Sequence, residues 1–378
     1  MCQGYVIRFR LTSFWDVPIS GNCEDMKRIA MWMGSATNEE SWAKIISANA
    51  ALLLVRCGRW REDSTWVHGQ QTSLSEKMPV ARWRRLDDMC FGFFSAFRIL
   101  RRTLKWAEGE PIALLIVEGP RGLLAVWLKR WGKVRALVSL QSDYLPPVGK
   151  WRVRLHRRAN MALNRFIARQ ADEVWRLSPR IPIGEGHSHN YILPIYINDN
   201  GVPMAERREI MYFGVPSEDH ALDVLFQVAR RHDIPLHIVG DSPYLASIKM
   251  DAPPQTTFHG HIEPCRLSEI ARHCFCAYAI YRNAGPQSYS YYGCPSKYFH
   301  CLANNLPLLT TNTAFFSGEI ERNGIGRVVA PDPQPIEQAV LEMRDQGRNF
   351  YDAINRFRKN WNHSVESFLA ERMAVLLP

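Results

Sequence analysis

From residue 209 to residue 332 short apolar runs alternate with amphipathic stretches, and that alternation leaves few folds open. IMYFGVP (210 to 216), PLHIVGDSP (235 to 243), TFHGHI (257 to 262), CAYAIYR (276 to 282), LPLLTTN (306 to 312) and GRVVAP (326 to 331) have the length and composition of buried strands. Between them, HALDVLFQVARRH (220 to 232) places Leu222, Leu225, Phe226 and Ala229 on one helical face, and RLSEIARHC from Arg266 also fits a helix. Strand–helix alternation calls for a parallel sheet covered on both faces, because parallel neighbours need a crossover. Ligands of such sheets collect at the carboxyl ends of the strands, which here carry Gly214, Asp241, Gly260, Arg282 and Asn312.

The first half is less regular but similar in kind. GYVIRF reads as a strand, LTSFWDVPISGN as a loop, and CEDMKRIAMWM as a helix with Asn22 as its N-cap. Further on, PIALLIVEGP (111 to 120) reads as a strand, RGLLAVWLKRWG (121 to 132) as a helix and VRALVSLQSDYLPP (134 to 147) as a strand running into a loop. An Arg-rich helix from about Lys150 to Gln170 precedes a final strand in ADEVWRLSP, whereas the polar, Trp-rich residues 56 to 90 show no clear period. With no internal repeat, the expectation is α/β, two Rossmann-like domains with parallel sheets: residues 1–180, residues 181–358, and a terminal helix over 359–378 packing back on the first domain.

A chain of 378 residues, 46% hydrophobic and 22% charged, is that of a folded two-domain protein and excludes disorder. Nine cysteines with no C-x-x-C pair argue for reduced thiols in a cytosolic setting; Cys274 and Cys276, alternating along one strand, are expected on the same side of it, without a disulfide frame or zinc site. The N-terminus has no secretory pattern, and the apolar runs at 50–55 and 112–117 are too short to cross a bilayer. Charge is uneven: Lys plus Arg minus Asp plus Glu is 30 − 16 = +14 for residues 1–180 and 17 − 21 = −4 for residues 181–378. The basic half suits an anionic partner, whether a membrane surface, a pyrophosphate-linked lipid or nucleic acid.

The stretch GCPSKYFHCLANNLPLLTTN (293 to 312) sets Pro295 and Lys297 at the start of a helix that leads into a buried strand. A helix start has unpaired N–H groups and partial positive charge, and a lysine there adds a full one, so an anion such as phosphate fits. A plain core helix with a solvated lysine fits the same residues.

These segments, in this order, resemble the GT-B glycosyltransferases. IMYFGVPSEDHALDVLFQVARRHDIPLHIVGDSP is similar to the opening strand, helix and strand of that family's nucleotide-binding domain, FHGHIEPCRLSEIARHCFCAYAIYR to the units that follow, and GCPSKYFHCLANNLPLLTTN to its donor-binding segment. ADEVWRLSP is similar to the strand that closes many of the first domains, and the pattern lies nearest the bacterial glucuronosyltransferases of xanthan assembly. The resemblance implies GT-B architecture, with the two sheets facing a central cleft and a nucleotide-sugar donor, UDP-linked, held against the second domain. It assigns Lys297 to the donor pyrophosphate, Ser296 and Arg282 to its surroundings, and Gly214 to a close backbone approach, although a plain turn glycine fits Gly214 equally. Two departures stand out. The E-x7-E pattern of many relatives is absent, leaving His300 nearest the ribose-binding place or else packed on the sheet, and PSEDHALD carries acids where relatives have an Arg and Lys pair.

Inverting transfer needs a base for the acceptor hydroxyl. Asp143, just past a strand in LQSDYLPP, is the first candidate by resemblance, with Glu118 second and Asp16 third; an Asx turn is the competing role for Asp143, and retaining transfer would need no such base. No D-x-D occurs anywhere, so metal-independent transfer and no resident cofactor are expected. FGFFSAFRILRRTLKW, VWLKRWGK and KWRVRLHRR mix cations with aromatics and suit peripheral docking at the inner face of the plasma membrane, bringing a lipid-linked or saccharide acceptor to the cleft; a solvated basic face over core aromatics is the alternative. A sugar-nucleotide epimerase of the same architecture, an inactive transferase and a non-catalytic nucleotide or nucleic-acid binder are the rival functions. No nucleic-acid-binding module is recognisable, and no nucleic-acid partner is expected.

Overall fold

The computed structural model describes residues 27–377 except 34–38, 49, 57–62, 68–69, 75–92, 118–120, 143, 204–206, 263, 284, 294 and 313–315. The GYVIRF segment, Asp16, Glu118 and Asp143 therefore lie outside the described residues.

The first domain runs β1 (Arg28–Met33), α1 (Glu39–Ile46), β2 (Ala51–Arg56), β3 (Asp63–Val67), β4 (Gln70–Leu74), α2 (Phe93–Ala107), β5 (Ile112–Val117), α3 (Arg121–Arg130), β6 (Val134–Gln141), α4 (Trp151–Gln170), β7 (Glu173–Arg176) and β8 (Asn190–Ile192). Its sheet has the order β4-β3-β2-β1-β5-β6-β7-β8. The six strands from β2 to β8 are parallel, and β3 and β4 add an antiparallel hairpin at one edge.

Two expectations need correction. The segment CEDMKRIAMWM was expected as a helix, but Arg28–Met33 is the strand β1, paired with β2 on one side and β5 on the other. Ile29, Ala30, Met31 and Trp32 are all buried, so side chains on both faces of the strand gain cover that an amphipathic helix would give to only one of its own faces. The hairpin at Asp63–Leu74 lies in the polar stretch that had no readable period, because an edge hairpin gains little from apolar alternation.

The second domain runs β9 (Glu209–Phe213), α5 (Leu222–Arg231), β10 (Leu236–Val239), α6 (Pro243–Ile248), β11 (Thr256–Gly260), α7 (Pro264–Ala271), β12 (Cys274–Ala279), α8 (Tyr289–Tyr292), α9 (Ser296–Ala303), β13 (Leu308–Thr311), α10 (Ser317–Arg322), β14 (Gly326–Val329), α11 (Pro333–Asp345) and α12 (Gly347–Leu376). The sheet is wholly parallel, in the order β11-β10-β9-β12-β13-β14. The chain winds outward from β9 in one direction and then crosses to β12 and winds outward in the other, so a crevice opens between the carboxyl ends of β9 and β12. Together the two sheets form the GT-B architecture.

A second correction concerns the thiols. In β12 the pairing slips between Cys274 and Cys276, with Cys274 opposite Glu209 and Cys276 opposite Ile210. This β-bulge breaks the two-residue period. Cys274 joins the core with Met211, Val239 and Ala277, whereas Cys276 joins the core on the other face with Phe226 and Tyr278. The two thiols therefore face opposite sides of the sheet rather than the same side. Cys274, Cys276 and Cys301 are all buried and reduced.

The 30-residue α12 bridges the two sheets. Ile354 and Phe357 bury themselves against the second domain's core. Farther along, Trp361 Nε1 donates to Ile195 O (2.6 Å), and Asn362 accepts from Ile197 N (2.9 Å) and donates to Ile197 O (2.7 Å). At its end Arg372 meets Glu173 (3.5 Å) and Tyr191 Oη (2.7 Å) in the first domain, and Lys27 Nζ caps the Leu377 carbonyl (2.7 Å). Among the described residues no helix is long and apolar enough to cross a membrane.

Candidate functional site

The crevice is built from three short pieces of backbone. The first is the turn after β9. Gly214 has φ +131°, its N–H donates to Val239 O (3.0 Å), and the left-handed conformation is the reason for a glycine there. A Cβ on Gly214 would stand 3.6 Å from Lys297 Nζ and 3.8 Å from Tyr212 Oη, which is ordinary contact. Crowding acts instead at Gly240, after β10: its φ is +125°, and a Cβ would lie 1.8 Å from the Gly214 carbonyl oxygen. Gly240 thus lets the Gly214 turn sit down on its neighbour, a role the sequence reading did not give it.

The second piece is the start of α9. Pro295 occupies the N-cap position with no side-chain cap, and Tyr298 N donates back to Pro295 O (3.0 Å). Ser296 is exposed at the first helical position, and Lys297 follows it. The Lys297 ammonium lies over two aromatic faces, 4.7 Å from the Tyr281 ring centre and 5.4 Å from that of Tyr212. Among the described residues no carboxylate pairs with it. Burial lowers its pKa to about 8, with the Cys301 thiol partly offsetting this. A partly desolvated cation with ring faces in place of a counter-ion is held ready for an anion.

The third piece is the short 3-10 turn Glu218–His220. Ser217 caps it reciprocally: its N–H donates to His220 Nδ1 (3.1 Å), and its hydroxyl lies 2.8 Å from the same atom. Because Nδ1 accepts the backbone N–H, the neutral ring carries its proton on Nε2. The ring lies tilted against Tyr281 (5.1 Å) and edge-on to Tyr212 (5.5 Å), and burial, helped by the Lys297 charge, pushes its pKa down to about 3. His220 is therefore a neutral hydrogen-bond donor next to the lysine. Burial also keeps the Tyr212 hydroxyl protonated, and it donates to Val215 O (3.1 Å).

Arg282, expected near the pyrophosphate, is engaged elsewhere. Its guanidinium pairs with Asp223 (2.5 Å) and reaches the Glu218 carbonyl (3.5 Å), while its N–H donates to Asp219 O (2.7 Å). Asn283 Nδ2 adds a bond to Asp219 Oδ1 (3.0 Å). Arg282 therefore locks the turn that holds His220. His300 sits one turn along α9 from Lys297, edge-on to Phe213 (5.7 Å), and lines a small cleft with Tyr196, Asn198, Phe299 and Ala303.

Lys297, Gly214, Tyr212, Tyr281 and His220 thus converge. Lys297 and Gly214 are legible in the sequence as a helix-start lysine and a turn glycine; His220 is legible only as the one basic residue after the acids of PSEDH, and the tyrosines carry no signal beyond strand composition. Among the described residues, no cluster of three metal-ligating side chains lies at this end of the sheet. Facing the crevice, Tyr144 of the first domain packs edge-on against Tyr292 (4.4 Å), and Arg180 lies over Tyr291 (4.4 Å) and donates to its carbonyl (3.3 Å).

The sequence matches no protein-family profile and no curated protein sequence. Its fold, in contrast, has many solved counterparts. A sucrose-phosphate synthase from Thermosynechococcus elongatus superposes with a TM-score of 0.64 at 13% identity, over 92% of this chain and all of that one. Alr3699/HepE from Anabaena, in complex with UDP, gives 0.60 at 11% identity, over 93% of this chain and all of its own. WaaG, a glycosyltransferase involved in lipopolysaccharide biosynthesis, gives 0.56 at 13% identity, over 92% of this chain and 99% of its own. Over the superposed residues the chain has the fold of the GT-B glycosyltransferases.

Proposed function

We propose that this protein is a glycosyltransferase that moves a sugar from a nucleoside-diphosphate sugar, of the UDP series, to an acceptor hydroxyl. The observation that carries the reading is Lys297: a cation without a carboxylate partner among the described residues, lodged between Tyr212 and Tyr281 at an uncapped helix start beside the Gly214 turn. A diphosphate there would restore to the lysine the charge solvation that burial removes, and would accept the first-turn N–H groups of α9. Neutral His220 supplies a further N–H donor. The HepE structures determined with UDP and with UDP-glucose support the choice of donor.

In this reading chemistry is driven by the leaving group. As the anomeric bond breaks, negative charge grows on the departing diphosphate, and Lys297 and the helix start stabilise it more in the transition state than in the bound donor. Metal-independent transfer belongs to the proposal: the lysine and helix dipole take the place of a cation clamp. Asp143 is proposed as the base for the acceptor hydroxyl, with Glu118 as the second candidate; support comes from its neighbour Tyr144, which packs on Tyr292, five residues before Lys297. His300 is proposed to face the ribose side.

The acceptor is proposed to be a lipid-linked or saccharide hydroxyl, as in polysaccharide assembly, reached by peripheral docking of the basic first domain. Support comes from Trp131 and Trp151, which are 61% and 62% exposed among the cations of α3 and α4. The test is release of UDP from UDP-sugars in the presence of acceptor extracts and a chelator. Acceptor-dependent turnover that falls at least 100-fold in Asp143→Asn supports the reading; turnover of donor without acceptor would favour an epimerase.

A further inference from the structure

At the amino-terminal edge of the same sheet, about 16 Å along β9 from Gly214, lies a group of side chains that the transfer reading does not use. Glu209 begins β9, His237 stands on β10, and Cys274 begins β12 directly opposite Glu209. One oxygen, one imidazole nitrogen and the thiol sulfur lie within 4.8 Å of one another. His237 Nε2 is hydrogen-bonded to Glu209 Oε2, and His237 Nδ1 stands 2.8 Å from His259 Nε2 on β11, the two rings stacked at 5.1 Å. Four adjacent strands thus contribute one ligand-type side chain each. Cys274 lies on this face because the β-bulge separates it from Cys276, and bulges commonly re-aim a side chain at a functional position.

We propose that Glu209, His237 and Cys274 form a zinc-binding site that ties β9, β10 and β12 together, with His259 orienting the histidine ligand. One carboxylate oxygen, one imidazole and one thiolate match the mixed O, N, S preference of this ion. Tetrahedral zinc sets its ligand atoms roughly 3.3–3.7 Å apart, so atoms that now stand up to 4.8 Å apart close by about 1 Å while the hydrogen-bonded His237 Nε2 and Glu209 Oε2 move apart to admit the ion, both through side-chain rotation. Binding displaces the thiol proton to solvent, which ends the Sγ–H bond to Ile270 O (3.4 Å), and replaces the hydrogen bond between His237 Nε2 and Glu209, the neutral imidazole keeping its one proton on Nδ1. His237 ligates through Nε2 and donates Nδ1–H to His259 Nε2, the outer hydrogen bond that fixes the tautomer of a metal-bound imidazole. Water fills the fourth position on the solvent side, where Glu209 and His237 are 26% and 17% exposed.

The test is a cobalt(II) titration of the full-length, chelator-treated protein, following the thiolate-to-cobalt charge-transfer band and its displacement by zinc. The wild-type chain is expected to develop the band at one equivalent. Cys276→Ser, altered on the opposite face, keeps it; Cys274→Ser abolishes it. His259→Gln weakens cobalt binding about 10–100-fold, and Glu209→Gln, which leaves the thiol in place, weakens it at least about tenfold. Absence of a band in the wild type, its persistence in Cys274→Ser, or unchanged affinity in Glu209→Gln overturns the proposal and leaves the group a hydrogen-bonded Glu–His–His chain beside a buried thiol.

Discussion

At the level of single residues the proposed function rests on Lys297. Its position in C-P-S-K before an apolar helix was readable because a lysine at a helix start is a local signal. Its aromatic surroundings were not readable, since Tyr212 on β9 and Tyr281 just past β12 are far apart in sequence and meet it only through the fold. With a pKa of about 8 the free amine is charged below that pH and loses its proton above it. The diphosphate binds the protonated form, so affinity is expected to hold steady from pH 6.5 to 7.5 and then fall, approaching about tenfold per unit well above pH 8. His220, shifted to about 3, stays neutral throughout and adds no slope. Calorimetric titration with UDP at several pH values checks this, and Lys297→Ala is expected to remove the slope along with most of the affinity.

Among the elements, the paired turns after β9 and β10 decide the shape of the crevice. The strands of the second domain were legible because parallel strands buried on both faces read as continuous apolar runs. β1 was misread because RIAMWM follows a charged, helix-prone stretch, and only its place between β2 and β5 makes it a strand. The β12 bulge left no mark in the sequence either, since C-F-C alternates as any strand would. Gly240 and Gly214 invite a contrasting pair of substitutions. Gly240→Ala drives a Cβ into the Gly214 carbonyl at 1.8 Å, so backbone must shift. It is expected to cost about 2–4 kcal/mol of stability and to weaken UDP binding at least about tenfold. Gly214→Ala meets only conformational strain, about 1–2 kcal/mol, with a smaller loss of affinity. Urea denaturation and calorimetry on the two variants separate these effects; equal behaviour would contradict the packing assigned to Gly240.

Across the whole molecule, α12 couples the two sheets. The expectation of a terminal helix packing back on the first domain rested on helical periodicity, whereas the contacts that make the connection are polar and could not be read: Arg372 with Glu173 and Tyr191, and Asn362 with the backbone of Ile197 between the two sheets. Glu173 is 4% exposed and also accepts from Trp175 Nε1 (2.7 Å), so removing its cationic partner strands a buried charge. Arg372→Met is expected to destabilise the protein by about 3 kcal/mol, read as a lower denaturation midpoint. UDP affinity, which the proposal assigns to residues of the second domain, should stay within about twofold under native conditions.

The central claim is that the crevice between β9 and β12 binds a nucleoside diphosphate through Lys297. Isothermal titration of the purified chain with UDP, GDP and ADP, with chelator present and Lys297→Ala in parallel, tests it most directly. Selective UDP binding that weakens about 10–100-fold in the variant, or about 1.4–2.8 kcal/mol, is the predicted result. No binding of any diphosphate by the wild type, or binding that the variant leaves unchanged, would contradict it.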